Sequence, residues 1–204
     1  MDLEIAEPAA NAAIGRRNLI GMAGVAGLAG AAAAMLSAQT TLAASDQANQ
    51  PTDADMALLA EALGLELTAR DLYRSQVAAN PSGDLASAVS IMAENHEAYA
   101  QAIAGATGLS ASDDKRNAEV FDALAADFAG SDFAAAAHGL EQTAVATHTA
   151  LLGEYESADA ITLTTSILVT EARHATVLAA VLGVDDLDTL FGNDQPALAL
   201  GGDA

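Results

Sequence analysis

Cysteine is absent from this chain, and with it go disulfide, zinc-thiolate and iron–sulfur chemistry. Basic residues are scarce: seven Lys and Arg stand against 28 Asp and Glu, a formal charge of 7 − 28 = −21. Such a surface repels nucleic acid and anionic lipid and keeps a protein soluble in salty surroundings. Sustained strand-like alternation is also missing. The longest uncharged run contains Leu19 to Leu36, rich in Gly and Ala.

That run follows Arg16-Arg17 and precedes Thr40-Thr41-Leu42-Ala43-Ala44. A basic pair, an apolar run and small residues before a polar segment describe a secretory signal. The pair resembles a twin-arginine (Tat) export signal, with Gly15 where Ser or Thr is usual and Leu19 where Phe is usual. Residues 1–44 are therefore expected to be a removable signal, and the protein periplasmic, in the cell envelope or extracellular. An uncleaved anchor is the alternative. Removal leaves 5 − 25 = −20 charges on one domain-sized segment.

Residues 45–52 read as a linker. Beyond them the hydrophobic period is helical. Helices are expected at about 53–79, from 82–84 to Gly105 or Gly108, at 117–129, from just after the Ser131-Asp132 cap to about 155, and at 158–182, with a stop at Asn80-Pro81 and a close at Gly183. The first two long helices and the last two are joined by short connections, and the pairs by a long one. Two antiparallel hairpins with one crossover make an all-α four-helix bundle over residues 53–183. Residues 184–204 are expected to form an acidic tail that frays after a short helical turn.

Four glutamates lie within apolar helical stretches: Glu66, Glu97, Glu141 and Glu171. Their spacing repeats, since 97 − 66 = 31 and 171 − 141 = 30. His174 follows Glu171 at i+3, on the same helix face. Burying a carboxylate is costly unless it is paired or bound to a metal. The competing account places these carboxylates at the bundle rim, paired with Arg70, Arg74 or Arg173.

With these residues in place the chain resembles the ferritin-like superfamily, in particular exported bacterial ferritin-like domain proteins. The family's pattern is Glu, Glu-x-x-His, Glu, Glu-x-x-His along the four helices. Glu66, Glu97, Glu141 and Glu171 with His174 match it residue by residue, and Ala100 stands where the second helix should offer a His. The resemblance implies a carboxylate-bridged di-iron or di-manganese site, with Glu97 and Glu171 bridging, Glu66 and Glu141 terminal and His174 on one ion. It implies iron binding, and oxidation of Fe(II) or reduction of peroxide with O₂ or H₂O₂ as partners, and it is compatible with a homo-oligomer. Ala100 points to an incomplete site of one ion, or to a metal-free bundle with a structural or stress-related role.

Three further histidines are expected in packing or at the surface. His96 points about 100° away from Glu97 on an ideal helix. His138 shares the face of Glu141, and a substitute ligand is the alternative reading of it. His148 lies about 10 Å along the axis from Glu141, beyond the same ligand shell. Tyr73, seven after Glu66, is expected in the core with its hydroxyl near the site.

Overall fold

The computed structural model of the protein describes residues 49–79 and 84–199. The expected export signal, the first half of the linker and the Asn80-Pro81 stop lie outside them. Four long helices dominate: α1 (Asp53–Ala78), α2 (Asp84–Thr107), α4 (Phe133–Leu152) and α5 (Ala158–Val181). The crossover carries a 3₁₀ turn (Asp113–Lys115) and α3 (Ala118–Ala129), and α6 (Leu187–Phe191) follows the bundle. The fold is the expected all-α bundle.

Local sequence explains most of the boundaries. Thr52 and Asp55 form a reciprocal capping box at the start of α1. Asn117 caps α3 and Ser157 caps α5, each accepting from a backbone N–H three residues on. Asp132 sits at the cap of α4, but its side chain makes no capping bond, so that expected device is only positional. Gly108 and Gly183 take positive φ of 71° and 75°, the left-handed turn that ends α2 and α5 at little steric cost.

The core falls into two apolar clusters whose membership fixes every helix direction. One joins Leu59, Leu63 and Leu67 to Tyr99, Ile103, Leu151, Leu163 and Ile167. The other joins Leu65, Ala69, Leu72 and Tyr73 to Val89, Met92, Phe133, Ala137, Leu140, Ala144 and Leu178. Early α1 thus meets late α2, late α4 and early α5. α1 runs antiparallel to α2 and α4 and parallel to α5. Because α2 and α4 point the same way, the crossover must return along the whole bundle, and α3 lies against α1 and α4 on that path.

Two contacts pin this arrangement. Asp55 is fully buried and accepts from the backbone N–H groups of Glu156 (2.7 Å) and Ser157 (3.1 Å), tying the start of α1 to the start of α5. At Gly64 the crossover comes so close that a Cβ would stand 3.2 Å from the Lys115 carbonyl oxygen. With the crossover covering its outer side, α1 is buried all round from residue 62 to 70. The tail, expected to fray after its short turn, keeps to α4 as far as Leu198. Asn193 Nδ2 donates to the Gln142 carbonyl (2.8 Å), and the Leu198 N–H donates to Thr147 Oγ1 (3.0 Å).

Candidate metal centre

Between the two apolar clusters lies a layer of six buried ionisable side chains: Glu66 from α1, His96 from α2, Glu141 and His148 from α4, Glu171 and His174 from α5. None is more than 1% exposed. They form two groups whose donor atoms all lie within 4.8 Å of one another: His96, Glu141 and His174 in the first, Glu66, His148 and Glu171 in the second. The groups touch, because His96 Nδ1 is 2.7 Å from Glu66 Oε2 while its Nε2 is 3.2 Å from Glu141 Oε1.

The surrounding residues hold these donors. Tyr73 donates its hydroxyl to Glu141 Oε1 at 2.5 Å and stacks on the His96 ring, 5.4 Å between centroids and 12° between planes. Asn95 Nδ2 lies 3.0 Å from His174 Nε2. With the amide oxygen turned to that nitrogen instead, Nε2–H donates and the Nδ1 lone pair is free. His148 Nε2 is 2.9 Å from Glu66 Oε1 and 3.3 Å from Glu171 Oε1.

Of the expected site residues, Glu66, Glu141, Glu171 and His174 come together here, and Glu97 does not. Glu97 is about a third exposed and lies on the outer side of α2, 3.3 Å from Arg70 Nη1 and 3.1 Å from Arg74 Nη2. The rim account, rejected for the other three glutamates, describes this one. One residue is about 100° of helix, and the buried stripe of α2 runs Val89, Met92, His96, Tyr99, Ile103. His96 therefore takes the inward place. Ala100 is buried in the apolar cluster with Leu59 and Leu63, so it is not the position of a lost ligand.

His148 also enters the layer, against expectation. Its side chain reaches across to Glu66 on the neighbouring helix rather than along its own to Glu141. His138 is half-buried in a cleft with Gln142, Ala172 and Asn193, and belongs to neither group.

The layer has an internal repeat that the 31/30 spacing conceals. Glu66, Tyr73, His96 and Tyr99 are matched by Glu141, His148, Glu171 and His174 at one constant offset, since 141 − 66, 148 − 73, 171 − 96 and 174 − 99 all equal 75. The Glu-x-x-His of α5 thus corresponds to His96-x-x-Tyr99 on α2.

Electrostatically the layer is a mutual compromise. Burial alone would raise Glu66, but bonds from His148 and His96 hold it at about 2. Burial likewise opposes ionisation of Glu141, yet the His174 and His96 imidazoles keep it well below the carboxylate range. Burial disfavours charge on His96 and His148, but their carboxylate neighbours lift both, His148 to about 10. Glu171 goes the other way. Burial raises it, His148 only partly offsets this, and the charges of Glu66 and Glu141 add to it, so it stands at about 7.

Several donors stay unsatisfied. Both oxygens of Glu171, Oε2 of Glu141, Nδ1 of His148 and Nδ1 of His174 are buried without a hydrogen-bond partner; the His174 and Glu171 atoms that lie 3.3 Å from a neighbour are misaligned for bonding. Buried polar atoms are normally paired, and an orphan calls for an explanation such as an ion. Carboxylate oxygens and imidazole nitrogens in this mixture suit divalent first-row metals. The residues present fit a metal.

A family model described as a ferritin-like domain matches residues 54–184. The chain belongs to that family. No curated protein and no solved structure matches it. No helix among the described residues is long and apolar enough to cross a membrane.

Proposed function

We propose that this is an exported ferritin-like metal protein whose polar layer holds iron or manganese. One observation carries the reading: four helices converge buried carboxylate and imidazole atoms on one layer and leave five of them unsatisfied. Glu66, His96, Glu141, His148, Glu171 and His174 would hold the metal. When bound, iron or manganese supplies the redox chemistry for oxidising Fe(II) or reducing peroxide.

The chain's own residues prepare the layer. Glu66 orients the His96 ring through Nδ1, Asn95 orients His174 through Nε2, and Tyr73 holds a proton against Glu141 Oε1. Such outer partners fix ring orientation and ligand basicity. The apolar clusters on either side keep bulk water away and strengthen every charge interaction within.

A metal-free bundle is favoured by one contrary observation: both nitrogens of His96 already face carboxylates, as in a self-neutralising ion network. Metal content discriminates the two. The protein reconstituted with Fe(II), Mn(II) or Zn(II) and desalted should retain stoichiometric metal by mass spectrometry. The isosteric double variant Glu66→Gln/Glu141→Gln should retain none, and Glu61→Ala, on the exposed face, should match the wild type. Equal, sub-stoichiometric metal in all three supports the metal-free bundle.

Export rests on Arg16-Arg17 and is part of the same proposal. Changing both to Lys should leave precursor in the cytoplasm, since the pathway reads the pair as an address. Unchanged export would remove the twin-arginine route.

A further inference from the structure

We infer that the two donor groups are unlike metal positions that fill in order: His96, Glu141 and His174 take the first ion and favour a later first-row metal, while Glu66, His148 and Glu171 take a second and accept Mn(II). The inference rests on the metal-binding reading above and adds selectivity to it.

Donor chemistry separates the positions. The first offers two imidazoles and one carboxylate, the second two carboxylates and one imidazole. Imidazole suits iron, nickel, copper and zinc, whereas carboxylate oxygen suits magnesium and manganese. The internal repeat shows how the difference arises. Where the first position has His174, the offset of 174 − 99 = 75 places Tyr99 beside the second. Tyr99 is buried and lies edge-on to the His96 ring.

Preorganisation sets the order. Every ligand of the first position has an outside partner: His96 on Glu66, His174 on Asn95, Glu141 on Tyr73. In the second, only Glu66 is so held, by His96; His148 Nδ1 and both Glu171 oxygens have none. Loss of such a partner typically weakens a site about 10- to 100-fold. Charge acts in the same direction. Three carboxylates meet two divalent ions, so the layer passes from 2 − 3 = −1 with one ion to 4 − 3 = +1 with two, and the second binds against the first.

The test gives the metal-free protein one equivalent each of Zn(II) and Mn(II), then measures bound metals by mass spectrometry and protein-bound Mn(II) by electron paramagnetic resonance. One Zn(II) and one Mn(II) per chain are expected, with Zn(II) bound first when either is limiting. His174→Ala should lose zinc and Glu171→Ala manganese. Asn95→Ala, which leaves every donor in place, should weaken the zinc position about 10-fold and spare the manganese position. Two like ions of equal affinity, or the same ion lost from both ligand variants, overturns the inference and leaves the metal reading standing. A wild-type chain that retains neither ion overturns both.

Discussion

Tyr73 and His148 are equivalent residues of the two half-bundles, 148 − 73 = 75 positions apart, and each reaches the glutamate of the other half. Tyr73 Oη meets Glu141 Oε1 at 2.5 Å, and His148 Nε2 meets Glu66 Oε1 at 2.9 Å. The two hairpins are thereby joined through the carboxylates of the buried polar layer. Tyr73→Phe removes one of these joints while keeping the ring that packs on His96, Phe128 and Phe133. A hydrogen bond to a buried charged group contributes about 1.5–3 kcal/mol. The metal-free variant should lose stability on that order in urea unfolding, with its packing intact by near-ultraviolet circular dichroism.

Glu97 tests the corrected site assignment. It holds Arg70 and Arg74 on the outer side of the bundle and touches no member of the polar layer. Glu97→Ala should leave metal stoichiometry unchanged. Arg70 keeps Asp71 and Asp113 as partners, so stability should fall by no more than about 1 kcal/mol. Loss of metal from this variant would return Glu97 to the ligand set.

Placing a histidine on α2 distinguishes two registers of the family pattern. Ala100→His forces an imidazole into the cluster of Leu59, Leu63 and Ile103, and overpacking of this kind costs about 1–3 kcal/mol. It should destabilise the fold and add no metal. Tyr99→His instead creates the counterpart of His174 and should tighten binding of the second ion. Metal affinity of the two variants, measured side by side, checks the register; a gain from Ala100→His alone would contradict it.

The pH dependence of the metal-free protein follows from the directions of the shifts. His96 and His148 are raised above 6.5, so their contribution is complete below that value and is lost as pH rises, for His148 through about 10. Glu66 and Glu141 are lowered from 4.5, so theirs is complete above that value and is lost in acid, for Glu66 through about 2. Glu171 is raised from 4.5 to about 7, so its preference for the protonated form fades between those values. Thermal unfolding should therefore show greatest stability between pH 4.5 and 6.5. Metal should move the optimum to higher pH, because its ligands bind deprotonated. An optimum at pH 8 or above without metal would contradict the network.

The bundle was legible in the sequence because helical period, two short connections and one long one leave few ways to bury the apolar faces. Glu66, Glu141, Glu171 and His174 were legible for a related reason: each is a polar residue on an apolar stripe. Glu97 misled because it matches the family's residue type, while its neighbour His96 matches the helix face. The stripe of Val89, Met92, Tyr99 and Ile103 carried that signal, as did the exact recurrence of 30, from 96 − 66 and 171 − 141. His148 was beyond reach of along-helix reasoning, since its partner Glu66 belongs to another helix. The docking of residues 193–198 on α4 was hidden for a similar reason. It depends on Asn193 meeting a backbone carbonyl and on Thr147 accepting a backbone N–H, neither of which has a periodic signature.

The central claim is that metal binds in the layer between the two apolar clusters. Anomalous diffraction from crystals of the Mn(II)- or Fe(II)-loaded protein tests it most directly. The account predicts density between α1, α2, α4 and α5, within bonding distance of Glu141 and His174 or of Glu66 and Glu171, and none at Glu97 or the acidic exterior. Loaded crystals with no anomalous peak in that layer, or with metal only among the surface carboxylates, would contradict it.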